Sequence, residues 1–330
     1  MGSPAEETIR ICSLLPGATE VVAALGRADR LVGTSHECDW PPEVQGTAIV
    51  VRSRLQRNGL SSREVDRRVS ETLAAGHRLY ELDEAAFVAG NPTVILTQDL
   101  CSVCAVTSDQ LTHAIAALPS PPSVLSFHAS GLEDVLQDVV RIGQAIGRPN
   151  EGKNLAAALR ADLRTIEVEG EAARNVESGP PRVACVEWLD PLYVAGHWVP
   201  EMIARAGGVD ALGAAGAPSR RTTWKEITEA DPDILLLMPC GYTVSHTLAE
   251  LSTLPAPPEW DGLRAVRSGR VFALNASAHF SRPGPRLIQG VRILAALCHS
   301  HYPASLQPGD AAPITRPTWG PRTACASVTP

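Results

Sequence analysis

The chain has 330 residues, of which 44% are hydrophobic and 20% charged, and its formal net charge is -7. This is the composition of a folded globular protein, and it excludes a wholly disordered chain. The acidic balance and the lack of a basic run argue against nucleic-acid binding. The lack of an apolar run of about 18 residues argues against insertion into a membrane as a helix.

Residues 1–8 are polar and acidic and are expected to be disordered. Residues 9–15 form a short apolar strand that stops at the Pro16-Gly17 turn signal. Thr19 is placed to cap a helix over 20–25, Gly26 stops it, and a second strand follows over 31–34. Strand, helix and strand with tight connections indicate a parallel sheet. Two further buried-type strands are predicted over 93–97 and 123–127. Apolar residues then recur at helical spacing from Leu132 to Ile146 and again from Leu155 to Ile166, interrupted by Gly147-Arg148-Pro149-Asn150.

A second α/β region begins with a strand over 182–187. Helices over 198–206 and 224–230, strands over 234–238 and 270–274, and a last helix over 286–299 follow. Gly90-Asn91-Pro92 and Ala230-Asp231-Pro232 each end a helix and lead into an apolar strand. A proline forces its predecessor out of helical geometry, so both sites read as the same helix-to-strand turn. The organisation expected is a lobe over 9–131, a helical spacer over 132–175, a second lobe over 176–302, and a disordered Pro- and Ala-rich tail over 303–330.

Residues with chemical potential follow these strands. They are His36-Glu37-Cys38-Asp39-Trp40, Cys101-Ser102-Val103-Cys104, Glu187-Trp188, His197-Trp198, Cys240, and His279 with Ser281-Arg282-Pro283-Gly284-Pro285-Arg286. Open parallel sheets bind ligands beyond the carboxyl ends of their strands, so two such lobes are expected to form a ligand cleft between them.

The Cys101/Cys104 pair reads as half a zinc or iron site, as a redox pair, or as two small thiols in a loop. His36 and Cys38 can complete four metal ligands if the loops meet, with Cys240 a more remote candidate; otherwise 36–39 is a turn into Pro41-Pro42. Trp40, Trp188 and Trp198 suit either a large planar ligand or core packing. His197 and His279 can ligate a metal or cap structure. Arg282 and Arg286 can hold carboxylate or phosphate groups, or pair with acidic residues of the chain. No GxSxG, GxxxxGK[ST] or GxGxxG motif occurs.

Eight cysteines occur, and residues 1–10 show no basic start followed by an apolar core. On the sequence as it stands, a cytoplasmic location with reduced thiols is expected. A mature chain that has lost a leader would be periplasmic or otherwise extracytoplasmic.

Ser13-Leu14-Leu15-Pro16-Gly17-Ala18-Thr19-Glu20, Leu25-Gly26, Leu31-Val32-Gly33, Ala206-Gly207-Gly208 and Asp231-Pro232-Asp233 resemble the cobalamin and iron-siderophore substrate-binding proteins of ABC importers. The resemblance covers about residues 9–300. It is strongest to the subgroup labelled cobalamin-binding protein, through the 36–39, 101–104 and 281–286 segments. It implies two three-layer α/β lobes, each a mostly parallel sheet with flanking helices, joined by one long interdomain helix. It further implies a corrinoid or related metal-chelate ligand and an ABC permease as partner. His36, Trp40, Glu187, Trp188, His197, Trp198, His279, Arg282 and Arg286 would contact the ligand. The alternative is a cytosolic metal- or thiol-dependent enzyme on the same scaffold, with zinc or iron or a nucleophilic thiol at Cys38, Cys101, Cys104 and Cys240.

Overall fold

The computed structural model describes residues 9–55, 59–98, 108–173, 179–299 and 306–320. The chain forms two compact units. Unit 1 comprises the chain up to Asp162 together with Arg282–Leu287, and unit 2 comprises Leu163–Ser281 and Ile288–Pro330.

Unit 1 is built on β1 (Ile11–Ser13), β2 (Leu31–Ser35), β3 (Ile49–Ser53), β4 (Tyr80–Leu82), β5 (Val94–Gln98) and β6 (Ser123–Phe127), in the order β4-β3-β2-β1-β5-β6. Every neighbouring pair is parallel except β3 with β4. The central β1 is wholly buried, and β5 nearly so, which is why both read as continuous apolar runs rather than alternating ones. Helices α1 (Pro16–Ala24), α2 (Ser62–Ala74), α3 (Glu84–Gly90), α4 (Ser108–Ala116) and α5 (Leu132–Ala145) complete the unit with the first part of α6 (Pro149–Ala173). The core gathers Cys12, Val50, Val51, Leu82, Phe87 and Ile95.

The interruption at 147–150 is a corner between two helices. Gly147 takes φ +72° and Pro149 starts α6, where its missing N–H costs nothing. Gly143 of α5 and Gly152 of α6 touch: a Cβ on Gly143 would lie 2.9 Å from the Gly152 Cα. The 25-residue α6 runs from unit 1 into unit 2.

Unit 2 holds β7 (Arg182–Leu189), β8 (Leu192–Val194), β9 (Val209–Asp210), β10 (Arg220–Arg221), β11 (Ile234–Leu237), β12 (Val271–Leu274) and β13 (Ala311–Pro313). The order is β10-β8-β7-β11-β12-β13, with β9 beside the start of β7. Its helices are α7 (Val199–Arg205), α8 (Trp224–Ala230), α9 (Val244–Leu251), α10 (Arg264–Arg267), α11 (Ala276–His279) and α12 (Leu287–Cys298).

Two α/β units with flanking helices agree with the expected fold class. The expected mostly parallel sheet holds for unit 1, whereas the sheet of unit 2 is mixed. There β7 turns straight back into β8, and β13 returns antiparallel along β12.

The helix-to-strand echo is a repeated device. Asn91 and Asp231 both take left-handed conformation, at φ 45° and 44°, after α3 and α8. An arginine from the start of each unit's first long strand region caps the turn. Arg10 Nε donates to the Asn91 carbonyl at 2.5 Å, and Arg182 Nη2 donates to the Ala230 carbonyl at 2.9 Å. Each satisfies a helix-end carbonyl that the broken helix leaves without a partner.

The expected N-terminal disorder over 1–8 lies outside the described residues. The expected tail is corrected over 306–320, which is folded onto unit 2. β13 pairs with β12 through backbone bonds, Ile314 is buried, and Trp319 lies edge-on to Trp260 at 4.9 Å and Trp224 at 6.1 Å. Two apolar anchors and an edge position in a sheet hold a segment whose composition looks disordered. Trp319→Ala is expected to lower stability by about 3–5 kcal/mol in urea denaturation; a loss below about 1 kcal/mol would mean the segment is not anchored there.

Candidate functional site

In unit 1 the opening motif and the arginine motif meet. Gly17, in the first turn of α1, lies against the backbone of Pro283, so closely that a Cβ would sit 2.2 Å from the Pro283 oxygen. One turn along, Glu20 receives Arg286: Nε donates to Oε2 at 3.0 Å and Nη2 to Oε1 at 2.5 Å. Arg282 pairs with Asp39 through both carboxylate oxygens, with Nη2–Oδ2 at 3.2 Å, and lies 3.8 Å from Glu20. The side chains of Glu20 and Arg282 are only 4% and 8% exposed.

Burial pushes the Glu20 carboxyl up, against the hydrogen bond and charge of Arg286 and the charge of Arg282. Burial also opposes ionisation of Asp39, but the Arg282 hydrogen bond and charge outweigh it and hold that carboxyl below the usual range. Both predicted anion-binding arginines are therefore engaged by carboxylates of the chain itself. Trp40 is 46% exposed, and the Arg286 guanidinium carbon stands 5.2 Å from its ring centroid. A guanidinium fixed by a buried carboxylate thus supports one face of an otherwise accessible indole.

The other predicted residues of this unit are His36 and Cys38, just past β2. His36 Nδ1 lies 3.2 Å from the Val51 carbonyl oxygen, and its Nε2 lies 3.4 Å from Glu37. Cys38 Sγ lies 3.1 Å from the Thr19 hydroxyl, and burial pushes its thiol up to about 11. Cys101 and Cys104 lie outside the described residues. Among the described residues, no three His, Cys, Asp or Glu side chains are grouped to hold a metal ion.

In unit 2, β7 extends to Leu189, so Glu187 and Trp188 lie within the strand rather than after it. Burial pushes the Glu187 carboxyl up to about 6, against a hydrogen bond from Ser219. His197 takes φ +53°, a strained geometry for a side-chain-bearing residue. Two backbone bonds hold it there: its N–H donates to Ala217 at 2.6 Å, and its carbonyl accepts from Gly216 at 2.9 Å. Burial lowers the basicity of its imidazole and favours the neutral ring. Glu187 and His197 thus both lean on the 216–219 segment.

Trp188 meets Tyr242 edge-on at 5.7 Å, and Tyr242 stacks on the exposed His246 at 3.7 Å with ring planes 2° apart. Tyr242 closes the Cys240-Gly241-Tyr242 strand end that the sequence marks as chemically rich, whereas His246 carries no such local signal. Glu20 was missed, although it ends the opening motif.

Trp198 and His279 are placed differently. Trp198 is buried, and its indole N–H donates to the Phe280 carbonyl at 2.8 Å. His279 Nε2 lies 3.1 Å from Asp310 of the C-terminal segment, both side chains being 11% exposed. Both contacts lie within unit 2. Cys240 is exposed in the loop after β11, and its N–H donates to the Glu187 carbonyl.

No protein-family model matches the chain. In sequence it is 23% identical over 302 residues to an uncharacterized ABC transporter substrate-binding lipoprotein of Bacillus subtilis, covering 90% of this chain and 81% of that protein. It is likewise 23% identical over 295 residues to the vitamin B12-binding protein of Vibrio cholerae, covering 87% of each. In structure it is similar to a periplasmic heme-binding protein from Pseudomonas aeruginosa, with a TM-score of 0.70 and 20% identity over 93% of this chain and 99% of that one.

The proteins that this two-unit α/β chain resembles thus include a substrate-binding lipoprotein of an ABC transporter. They also include a vitamin B12-binding protein and a periplasmic heme-binding protein. The enzyme alternative finds no support among them. Of the thiols named for it, Cys38 is pushed up by burial, which disfavours the reactive thiolate, Cys240 is exposed, and Cys101 and Cys104 lie outside the described residues. The expected cytoplasmic location also finds no support, because these relatives are lipoprotein or periplasmic proteins.

Gly17→Ala is expected to cost about 1–3 kcal/mol in urea denaturation, because α1 or the 282–287 segment must shift to admit the methyl group. A neutral effect would mean that this close approach is easily relieved. Glu187 gives a pH signature of opposite sign to an ion-paired carboxylate. Its folded value of about 6 exceeds the ordinary 4.5, so the folded state binds the proton more tightly. Stability therefore falls as pH rises through that window, by about 2 kcal/mol in all. Glu187→Gln is expected to flatten this part of the stability profile between pH 4 and 8; an unchanged profile would assign the titration elsewhere.

Proposed function

We propose that the chain is the ligand-capturing component of an ABC importer, acts outside the cytoplasm, and carries a planar metal-bearing macrocycle or a related iron chelate to its permease. The observation that carries this reading is the similarity to substrate-binding proteins over 90% of the chain. The side chains agree with it. Trp40 offers an accessible, guanidinium-backed indole for stacking on a flat ring. His197 offers a neutral imidazole, the form that ligates metals, on a backbone held rigidly out of its ordinary conformation. Trp188, Tyr242 and His246 add an aromatic edge suited to an apolar ring system.

Capture of this kind needs no covalent chemistry. It requires a preformed surface, so that little ordering entropy is lost on binding. The test is an absorption titration with hydroxocobalamin and with hemin. Saturable binding of at least one at micromolar concentration or below is expected, weakened about tenfold or more by Trp40→Ala. His197→Ala is expected to abolish the shift in the metal-sensitive bands. Failure to bind either ligand up to about 100 μM would leave at best about -5.5 kcal/mol and remove the planar-macrocycle reading.

A further inference from the structure

We infer that the Trp40 face of unit 1 selects a planar ligand with an uncharged rim, a corrinoid whose side chains are amides rather than a dicarboxylate such as heme, and that Glu20 and Asp39 are the residues that set this preference. The inference rests on the proposed function and narrows its ligand class.

An arginine that is to receive a ligand carboxylate must present its N–H fork. Arg286 has Nε and Nη2 turned into Glu20, and its guanidinium carbon stands 5.2 Å over the ring centroid of Trp40. Arg282 is directed at Asp39, and its side chain is only 8% exposed. Each guanidinium thus gives two of its nitrogens to a carboxylate of the chain. The local charge points the same way, since Glu37 also acts on Arg282. Two guanidinium groups therefore face three carboxylates, with His36 set against Glu37. A dianionic rim brought to Trp40 would meet a surface without net positive charge, whereas amide groups carry no charge to oppose it and can hydrogen-bond with carboxylates or backbone groups.

The experiment compares cyanocobalamin and hemin on the full chain by absorption titration, with Asp39→Asn as the main variant. The Asp39 side chain is 61% exposed, so the substitution leaves the buried Glu20 pair in place. Circular dichroism checks the fold. The expected result is cyanocobalamin binding about tenfold or more tighter than hemin, with the ratio narrowing about tenfold in Asp39→Asn as Arg282 loses its partner. Glu20→Gln, which releases Arg286, is expected to move the ratio in the same direction. Hemin binding as tightly as cyanocobalamin, or a ratio unmoved in Asp39→Asn, overturns the inference and leaves the proposed function standing. Binding of neither ligand removes the planar-macrocycle reading of the proposed function and the inference with it.

Discussion

The contact on which the rest of unit 1 depends is the fork between Arg286 and Glu20. A carboxylate with 4% exposure is unstable alone, and a two-point guanidinium partner supplies both charge and hydrogen bonds. From that pairing the neighbouring features follow. The 282–287 segment must lie along α1, so residue 17 must lack a side chain. Arg282 is brought beside Asp39, and the Arg286 guanidinium stands over the ring of Trp40. Such a pair adds less to stability than an apolar core of the same volume would, but removing one partner is costly. It fixes geometry, and geometry is what a stacking surface needs.

The two units share a building device and differ in how they end. In each, a helix closes on a left-handed Asn or Asp, a proline follows, and a central strand begins. In each, an arginine from the neighbouring strand region binds the turn. Arg264 adds a further clamp in unit 2, pairing with Asp231 and with Asp233 at 3.0 Å. Unit 2 then departs from the pattern through the β7–β8 hairpin and the added β13, both antiparallel. The hairpin brings His197 to the 216–219 segment. The added strand brings Asp310 to His279.

The sequence made the central strands and amphipathic helices legible because burial on one or two faces writes a period into the chain. The strand over 123–127 and the helix over 224–230 match their predicted bounds. β3, β4 and α2 were not read, and neither was β13. β13 is Ala311–Pro313, three residues without a β-branched side chain, stabilised by its partner strand rather than by its own propensity.

The site was legible as residue types but not as partnerships. Arg282 and Asp39 are 243 positions apart, and Arg286 and Glu20 are 266 apart. No local pattern can show that the arginines meet carboxylates of the chain rather than those of a ligand. Trp188 and His197 were visible because large aromatic and imidazole groups cluster near turns. His246 is not marked by the sequence, because its stacking on Tyr242 arises only when α9 forms and sets one helical turn over the loop before it.

The claim most exposed to a single measurement is that the Glu20–Arg286 pair holds the 282–287 segment on α1. A double-mutant cycle of Glu20→Gln and Arg286→Gln, read by urea denaturation, isolates their coupling from the cost of each substitution. A coupling of about 2–3 kcal/mol is predicted for a buried two-point pair. A coupling below about 0.5 kcal/mol would contradict the account, because the arginine and the carboxylate would then be acting independently.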